Sequence, residues 1–159
     1  ADRFSKIGSE PILEKTDIRQ VVKSVSEYMQ KRASQNIFIT ADLPDYPVEA
    51  YICEPLFAWV IENLCKNAID AQDKPKEQIH LLLKQENKVV IEVIDNGKGI
   101  AKNLWKRIFT AGYTTKKRGW GLGLSLAKRI VEEYHKGRIF VKQSEIGKGT
   151  TFRIEMPMG

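Results

Sequence analysis

The apolar residues of this chain change period along its length, and that change limits the folds open to it. Helical spacing governs 17–35, where Ile18, Val21, Val22, Val25, Tyr28 and Met29 fall on one face. It returns at 54–71 and at 122–134. Short apolar runs of strand type occupy 37–40, 50–53, 79–84, 89–94, 138–143 and 150–156. The two kinds of segment do not alternate as regular strand–helix–strand units. This predicts an α+β fold, a two-layer α/β sandwich whose helices pack on one face of a mixed, mostly antiparallel sheet. The other sheet face is expected to be solvated or covered by another domain.

Local signals mark the boundaries. Thr16 or Asp17 caps the first helix, and Asp42–Pro47, with two prolines, is a loop. Glu54 and Pro55 suit a first helical turn, Glu86-Asn87 turns a hairpin, and Gly137 stops the last helix. A short helix is expected over Lys102–Ile108. Residues 1–15 read as a connector and 16–159 as one domain.

The 159 residues are 42% hydrophobic and 29% charged, which suits one packed core and argues against a disordered chain. No apolar run approaches the ~20 residues of a membrane span, and no signal peptide is visible. Cys53 and Cys65 sit in apolar surroundings without CxxC spacing. They read as buried thiols of a cytoplasmic protein, not as a disulfide or metal framework. The formal charge of +6 is spread over the chain. It admits an anionic partner. A nucleic-acid module is the weakest reading, because neither a helix-turn-helix nor basic-aromatic interleaving is present.

Four segments carry chemistry. On the helix at 54–71, Asn63 and Asn67 are four apart and share a face at the edge of the apolar stripe. Asparagine is a poor interior helix residue, and its amide oxygen is a hard, neutral donor suited to Mg²⁺; two solvent-edge asparagines are the plain reading of the helix alone. DNGKGI at 95–100 follows an apolar strand. Asp95 is the acceptor that matches an adenine amino group, while Gly97 and Gly99 let a flat base approach backbone. The same letters also spell a common tight turn. In GWGLGLSLAKRI, glycines 119, 121 and 123 run straight into a helix, whose free amides suit phosphate. Neither the P-loop nor the dinucleotide fingerprint has this spacing. In GKGTTF, Thr150 opens the last strand, where its hydroxyl suits a bond to Asp95 or to a water beside the base.

In this order and with these separations, the segments resemble the ATP-binding domains shared by histidine kinases, gyrase-type topoisomerases, mismatch-repair ATPases and heat-shock chaperone ATPases, the Bergerat fold. The resemblance covers roughly 16–157. ENLCKNAIDA resembles the N box, DNGKGI the first glycine box, Phe109 the F box, GWGLGLSLAKRI the second glycine box and GKGTTF the last one. It implies ATP and Mg²⁺ as cofactors. Asn67 is implied to hold Mg²⁺, with Asn63 its partner one turn earlier and Lys66 and Asp70 beside them. Asp95, Gly97, Gly99, Ile100 and Thr150 are implied at the base. Residues 110–120, with Thr114, Thr115 and Lys116, are implied as a lid over the phosphates. Phe109, Gly119, Gly121, Leu122, Gly123 and Leu124 complete the set. One of Lys116, Lys117 and Arg118 is implied at the γ-phosphate. Trp120 departs from the kinase pattern, which often has a small hydroxyl residue there.

Hydrolysing members carry a glutamate at the position of Asn63. A neutral amide cannot act as a comparable general base, which points to a kinase. Neither His80 nor His135 is expected to accept the phosphate. His135 lies at a helix end where the dipole favours a cation. The resemblance therefore implies a separate dimerisation and phosphoacceptor domain, a homodimeric parent, a response-regulator receiver as indirect partner, and a monomeric fragment. The alternative is a stand-alone protein serine kinase of the anti-sigma type.

Overall fold

The computed structural model describes residues 11–113 and 123–159. Five strands form the main sheet: β2 (Ile37–Asp42), β4 (Glu77–Gln85), β5 (Val89–Asp95), β6 (Arg138–Glu145) and β7 (Gly149–Met156), in the order β2-β4-β5-β7-β6. All pairs are antiparallel except β2 with β4. A separate two-stranded ribbon pairs β1 (Glu14–Asp17) with β3 (Glu49–Ile52). Helices α1 (Ile18–Arg32), α2 (Glu54–Asp70) and α3 (Gly123–Arg129) lie on one face. The two-layer sandwich is the one the periodicity predicts.

Alternation explains the layering. Ile79, Leu81 and Leu83 of β4, Ile91 and Val93 of β5, and Phe152 and Ile154 of β7 point into the helix layer and are buried. They meet Val21, Val22 and Val25 of α1 and Phe57, Val60, Ile61 and Leu64 of α2 in one core. Each such side chain contributes about 1.5–3 kcal/mol when fully buried. The opposite face carries charge. Glu92 bonds Arg153 at 3.2 Å and Lys142 at 3.0 Å, and Glu155 bonds Arg153 at 2.9 Å and Lys88 at 3.2 Å.

Several expectations shift. The first helix ends at Arg32, not near Gln35. Its cap is Asp17, whose Oδ1 accepts the Arg19 N–H at 3.1 Å. The Arg19 side chain beside it holds the Asp17 carboxyl below the usual range. Residues 14–16, expected to be irregular, start a strand because β3 offers a pairing edge. The helix expected over Lys102–Ile108 is two short 3₁₀ turns, Lys102–Leu104 and Arg107–Phe109. Cys65 is buried, its thiol pushed up to about 12 by burial, but Cys53 is half-buried.

The last helix ends in a π turn, Ile130–Tyr134, and this overturns the cationic reading of His135. The ring is 3% exposed. Its Nε2 accepts the Cys53 N–H at 3.0 Å, and its Nδ1 lies 2.9 Å from the Ile130 carbonyl oxygen. A carbonyl can only accept, so the proton sits on Nδ1 and the ring is neutral. Burial lowers its pKa. The extra residue of the π turn thus aims His135 at Cys53, the residue just before α2, and against Phe57 with ring centroids 5.5 Å apart.

His135→Leu removes an acceptor from a backbone N–H and a donor from a carbonyl. It is expected to cost about 1–3 kcal/mol, read by urea unfolding at pH 7.5. Because the folded pKa is depressed, this contribution is present above about pH 6.5 and is lost as pH falls through the lower folded value. The gap between wild type and variant should therefore narrow on acidification from pH 7.5 to 5. A gap that widens contradicts the neutral ring.

Candidate functional site

The end of β5 lies in the middle of the sheet, where Asp95 pairs with Ile79 of β4 and Thr150 of β7. Asp95 faces the helix layer and is 6% exposed. Its Oδ1 accepts the Gly97 N–H at 2.8 Å. Burial raises its pKa, opposed by backbone N–H groups of Gly97 and Thr150. A buried acceptor carboxylate is therefore presented at a strand end.

The loop that follows is fixed on several sides. The Lys98 N–H donates to the Ala71 carbonyl at the end of α2, at 2.9 Å. Gly97 permits this approach: a Cβ there would stand 2.5 Å from that same oxygen. Gly99 takes φ +79°, a conformation that disfavours other residues. Its missing side chain leaves room for the Glu145 carbonyl of the β6–β7 turn. From that turn, the Gly147 N–H reaches the Lys98 carbonyl at 2.9 Å. Lys74 donates to the Asn96 carbonyl at 2.5 Å and the Gly97 carbonyl at 3.4 Å. Asn96 Oδ1 accepts the Gln78 N–H at 2.9 Å.

A hydroxyl pair closes the far side. Ser144 Oγ accepts the Ile100 N–H at 2.7 Å, donates to the Gly149 carbonyl at 3.1 Å, and lies 2.7 Å from Thr150 Oγ1. A hydroxyl has one proton, so Thr150 donates to Ser144. The sequence pointed Thr150 Oγ1 at Asp95 or a nearby water. The structure engages it with Ser144, and it is the Thr150 backbone that acts on Asp95.

Helix α2 holds Asn63 and Asn67 half-buried on one side. Asn63 Nδ2 is buried and has no hydrogen-bond partner among the described residues. The start of α3 abuts it: a Cβ on Gly123 would lie 2.9 Å from Asn63 Oδ1. Lys66 and Asp70 are exposed. Phe109 is buried edge-on against Phe152, centroids 6.1 Å apart, with the Lys128 ammonium 5.8 Å from its ring. Ile100 and Leu124 are half-buried on the core. Thr114, Thr115, Lys116, Lys117, Arg118, Gly119, Trp120, Gly121 and Leu122 lie outside the described residues. His80 sits at the outer sheet face, 2.8 Å from Thr40 Oγ1.

Sequence reasoning missed Lys74, Asn96, Ser144 and Glu77. Lys74 and Glu77 belong to the polar run DKPKE, which reads as solvated loop. Yet Glu77 is fully buried, and neither carboxyl oxygen has a hydrogen-bond partner among the described residues. Its carboxyl is pushed up to about 7 by burial and then by the charge of Asp95.

Comparison with known proteins agrees with this geometry. The family model "Histidine kinase-, DNA gyrase B-, and HSP90-like ATPase" matches residues 54–159. Sporulation kinase E of Bacillus subtilis is 34% identical over 148 residues, which cover 91% of this chain and 20% of that protein. Sensor histidine kinase ZraS of Salmonella typhimurium is 43% identical over 101 residues, 62% of this chain and 21% of that one. The chain thus spans about a fifth of the length of these curated relatives. The catalytic domain of histidine kinase ThkA superposes with a TM-score of 0.80 at 25% identity, covering 91% of this chain and 95% of that one. Full-length ShkA, solved with AMPPNP, gives 0.83 at 25% identity over 99% of this chain and 34% of that one.

The joint between α2 and the loop after β5 is testable without any ligand. Gly97→Ala drives a methyl into the Ala71 carbonyl and should cost about 1–3 kcal/mol of stability by overpacking. Amide exchange at Lys98 should speed up with it. A variant with an unchanged urea midpoint and a protected Lys98 amide would show that the contact is not tight.

Proposed function

The chain belongs to the family of histidine kinase-, DNA gyrase B- and HSP90-like ATPases, and on that footing we propose that it is the ATP-binding catalytic domain of a sensor histidine kinase. In this reading it presents the γ-phosphoryl of Mg·ATP to a histidine on a separate dimerisation domain. One observation supports the reading most: Asp95, buried at a strand end beside a loop already held by backbone hydrogen bonds.

Asp95 accepts the amino group of adenine, and guanine, with an oxygen at that place, is repelled. Gly97 and Gly99 keep side chains out of the plane of the base. Thr150 and Ser144 fix the backbone beside it. The residues fit a magnesium ion held by phosphates: Asn67 and Asn63 supply hard, neutral amide oxygens on one helix side, and Asn63 Nδ2, buried without a hydrogen-bond partner among the described residues, suits a phosphate oxygen beside the ion. Bound Mg²⁺ would neutralise charge on the phosphates, which is most of what phosphoryl transfer asks of a protein. Asn63 cannot deprotonate water as a glutamate would. The nucleotide is thereby kept for a nucleophile brought from outside.

That nucleophile is not in the described residues of this chain. His135 has both ring nitrogens engaged, and His80 lies on the sheet face opposite Asp95. The partners in this reading are ATP and its product ADP, the dimerisation and phosphoacceptor helices of a homodimeric parent, and through them a receiver domain. Nucleic acid has no part in it. No helix among the described residues is long and apolar enough to cross a membrane, and we place the domain in the cytoplasm, monomeric by itself.

Mixing or fusing the chain with a dimeric two-helix domain that carries the acceptor histidine, and adding γ-labelled ATP, tests this. Label should appear on that domain as acid-labile, alkali-stable phosphate. Asn67→Ala should lower the rate at least about 100-fold, the scale of losing one transition-state contact. Acid-stable label on a supplied protein serine would contradict the histidine-kinase reading.

A further inference from the structure

Glu77 begins β4, on the same strand face as Ile79, and Ile79 is paired directly with Asp95. Glu77 and Asp95 are therefore diagonal neighbours across an antiparallel pair, with side chains on one face. Such positions are about 7–8 Å apart, within reach of a long side chain. Glu77 is 0% exposed, and both of its oxygens lack hydrogen-bond partners among the described residues. An ionised carboxylate in that condition is costly. Two carboxyls this close and this dry do not both ionise readily.

The surroundings decide which of them holds the proton. Asp95 has a 2.8 Å hydrogen bond from the Gly97 N–H, and a Thr150 N–H acts on it as well. Both favour its ionised form. Glu77 has neither. The charged groups acting on Glu77 are Asp95 from β5, and Lys74 and Asp73 from the α2–β4 connection. Lys74 is the only attractive one among them, and its ammonium is already spent on the Asn96 and Gly97 carbonyls and on Asp73. From the turn before β2, the Asn36 carbonyl takes the Glu77 backbone N–H at 3.0 Å and leaves the side chain untouched.

We propose that Glu77 is a positioning residue at the purine end of the site: it carries the proton of a two-carboxyl pair, so that Asp95 alone bears the charge that receives the amino group of the base. This rests on the nucleotide reading of Asp95. Its consequence is linkage. An adenine amino group bonded to Asp95 offsets part of the charge that opposes ionisation of Glu77. Binding then releases protons at pH values where free Glu77 is still partly protonated, about 7. Affinity is lowest below that range and rises as pH passes through it.

The test is calorimetric titration of the chain with Mg·ADP from pH 6 to 8.5, for wild type and Glu77→Gln. Glutamine keeps the shape of the protonated carboxyl and cannot ionise. The readout is the slope of affinity against pH, since the titration of the nucleotide itself is common to both proteins. Wild-type affinity should rise about three- to tenfold more across the range than that of the variant; one linked proton sets a ceiling of about tenfold per pH unit. Buffers of different ionisation enthalpy should show more proton release in wild type than in the variant. As a measurement that needs no variant, ¹³C carboxyl NMR of wild type should show Glu77 titrating near neutrality, and at lower pH with ADP bound. Equal slopes, or a Glu77 that titrates like an ordinary glutamate at about 4.3, overturn the inference and leave the nucleotide reading standing. A folded wild-type chain that binds no ADP at any pH overturns both.

Discussion

The site depends on one joint, where the last turn of α2 meets the loop after β5. The Ala71 carbonyl accepts the Lys98 N–H, and Gly97 lies against the same oxygen with no room for a methyl group. One helical turn before Ala71 is Asn67, and three residues before Lys98 is Asp95. The amides suited to a metal and the carboxylate suited to a base are thus tied through a single peptide oxygen. Their separation is set by backbone geometry and not by side-chain rotamers. Lys74 binds the loop to the α2–β4 connection, Asn96 binds it to β4, and Ser144 binds it to β6. The base-facing half of the site is therefore held by elements that the core already fixes.

The same economy shows at the other end of α2. His135, set by the π turn, takes the N–H of Cys53, the residue just before the helix, into a neutral, buried bond. Cys53 offers no side-chain cap there, and the histidine of another helix fixes the entry to α2 from outside. Helix α2 is secured at its start by the chain's last helix and at its end by the loop after β5. Asn63 and Asn67 sit between the two anchors. In the function proposed above, an amide in place of a general-base carboxylate at position 63 leaves the phosphoryl group to an outside nucleophile.

Most of the layer architecture was legible in the sequence, because period-2 and period-3.6 patterns survive wherever one face is buried. The ribbon strand β1 was not, since its four residues carry no alternation of their own and are ordered by pairing with β3. The π turn was invisible because helix periodicity does not register one inserted residue. Asp95, Gly97 and Asn63 announced themselves by type and place: a carboxylate ending an apolar strand, a glycine beside it, an amide at a core edge. Lys74, Ser144 and Glu77 did not. Their roles come from neighbours far along the chain, and in a linear reading each is an ordinary polar residue of a turn or strand end. His135 was misread for the same reason: the helix dipole is a local argument, and burial against α2 outweighs it.

The central claim is that an adenine nucleotide binds at Asp95. Calorimetric titration of the chain with ADP and ATP in Mg²⁺, with GTP and Asp95→Asn as controls, measures it directly. The account predicts binding of both adenine nucleotides, none of GTP, and a loss of about 10- to 100-fold in Asp95→Asn, the scale of a hydrogen bond to a charged group. Equal binding of GTP, or an Asp95→Asn variant that binds ADP as well as wild type does, would contradict it.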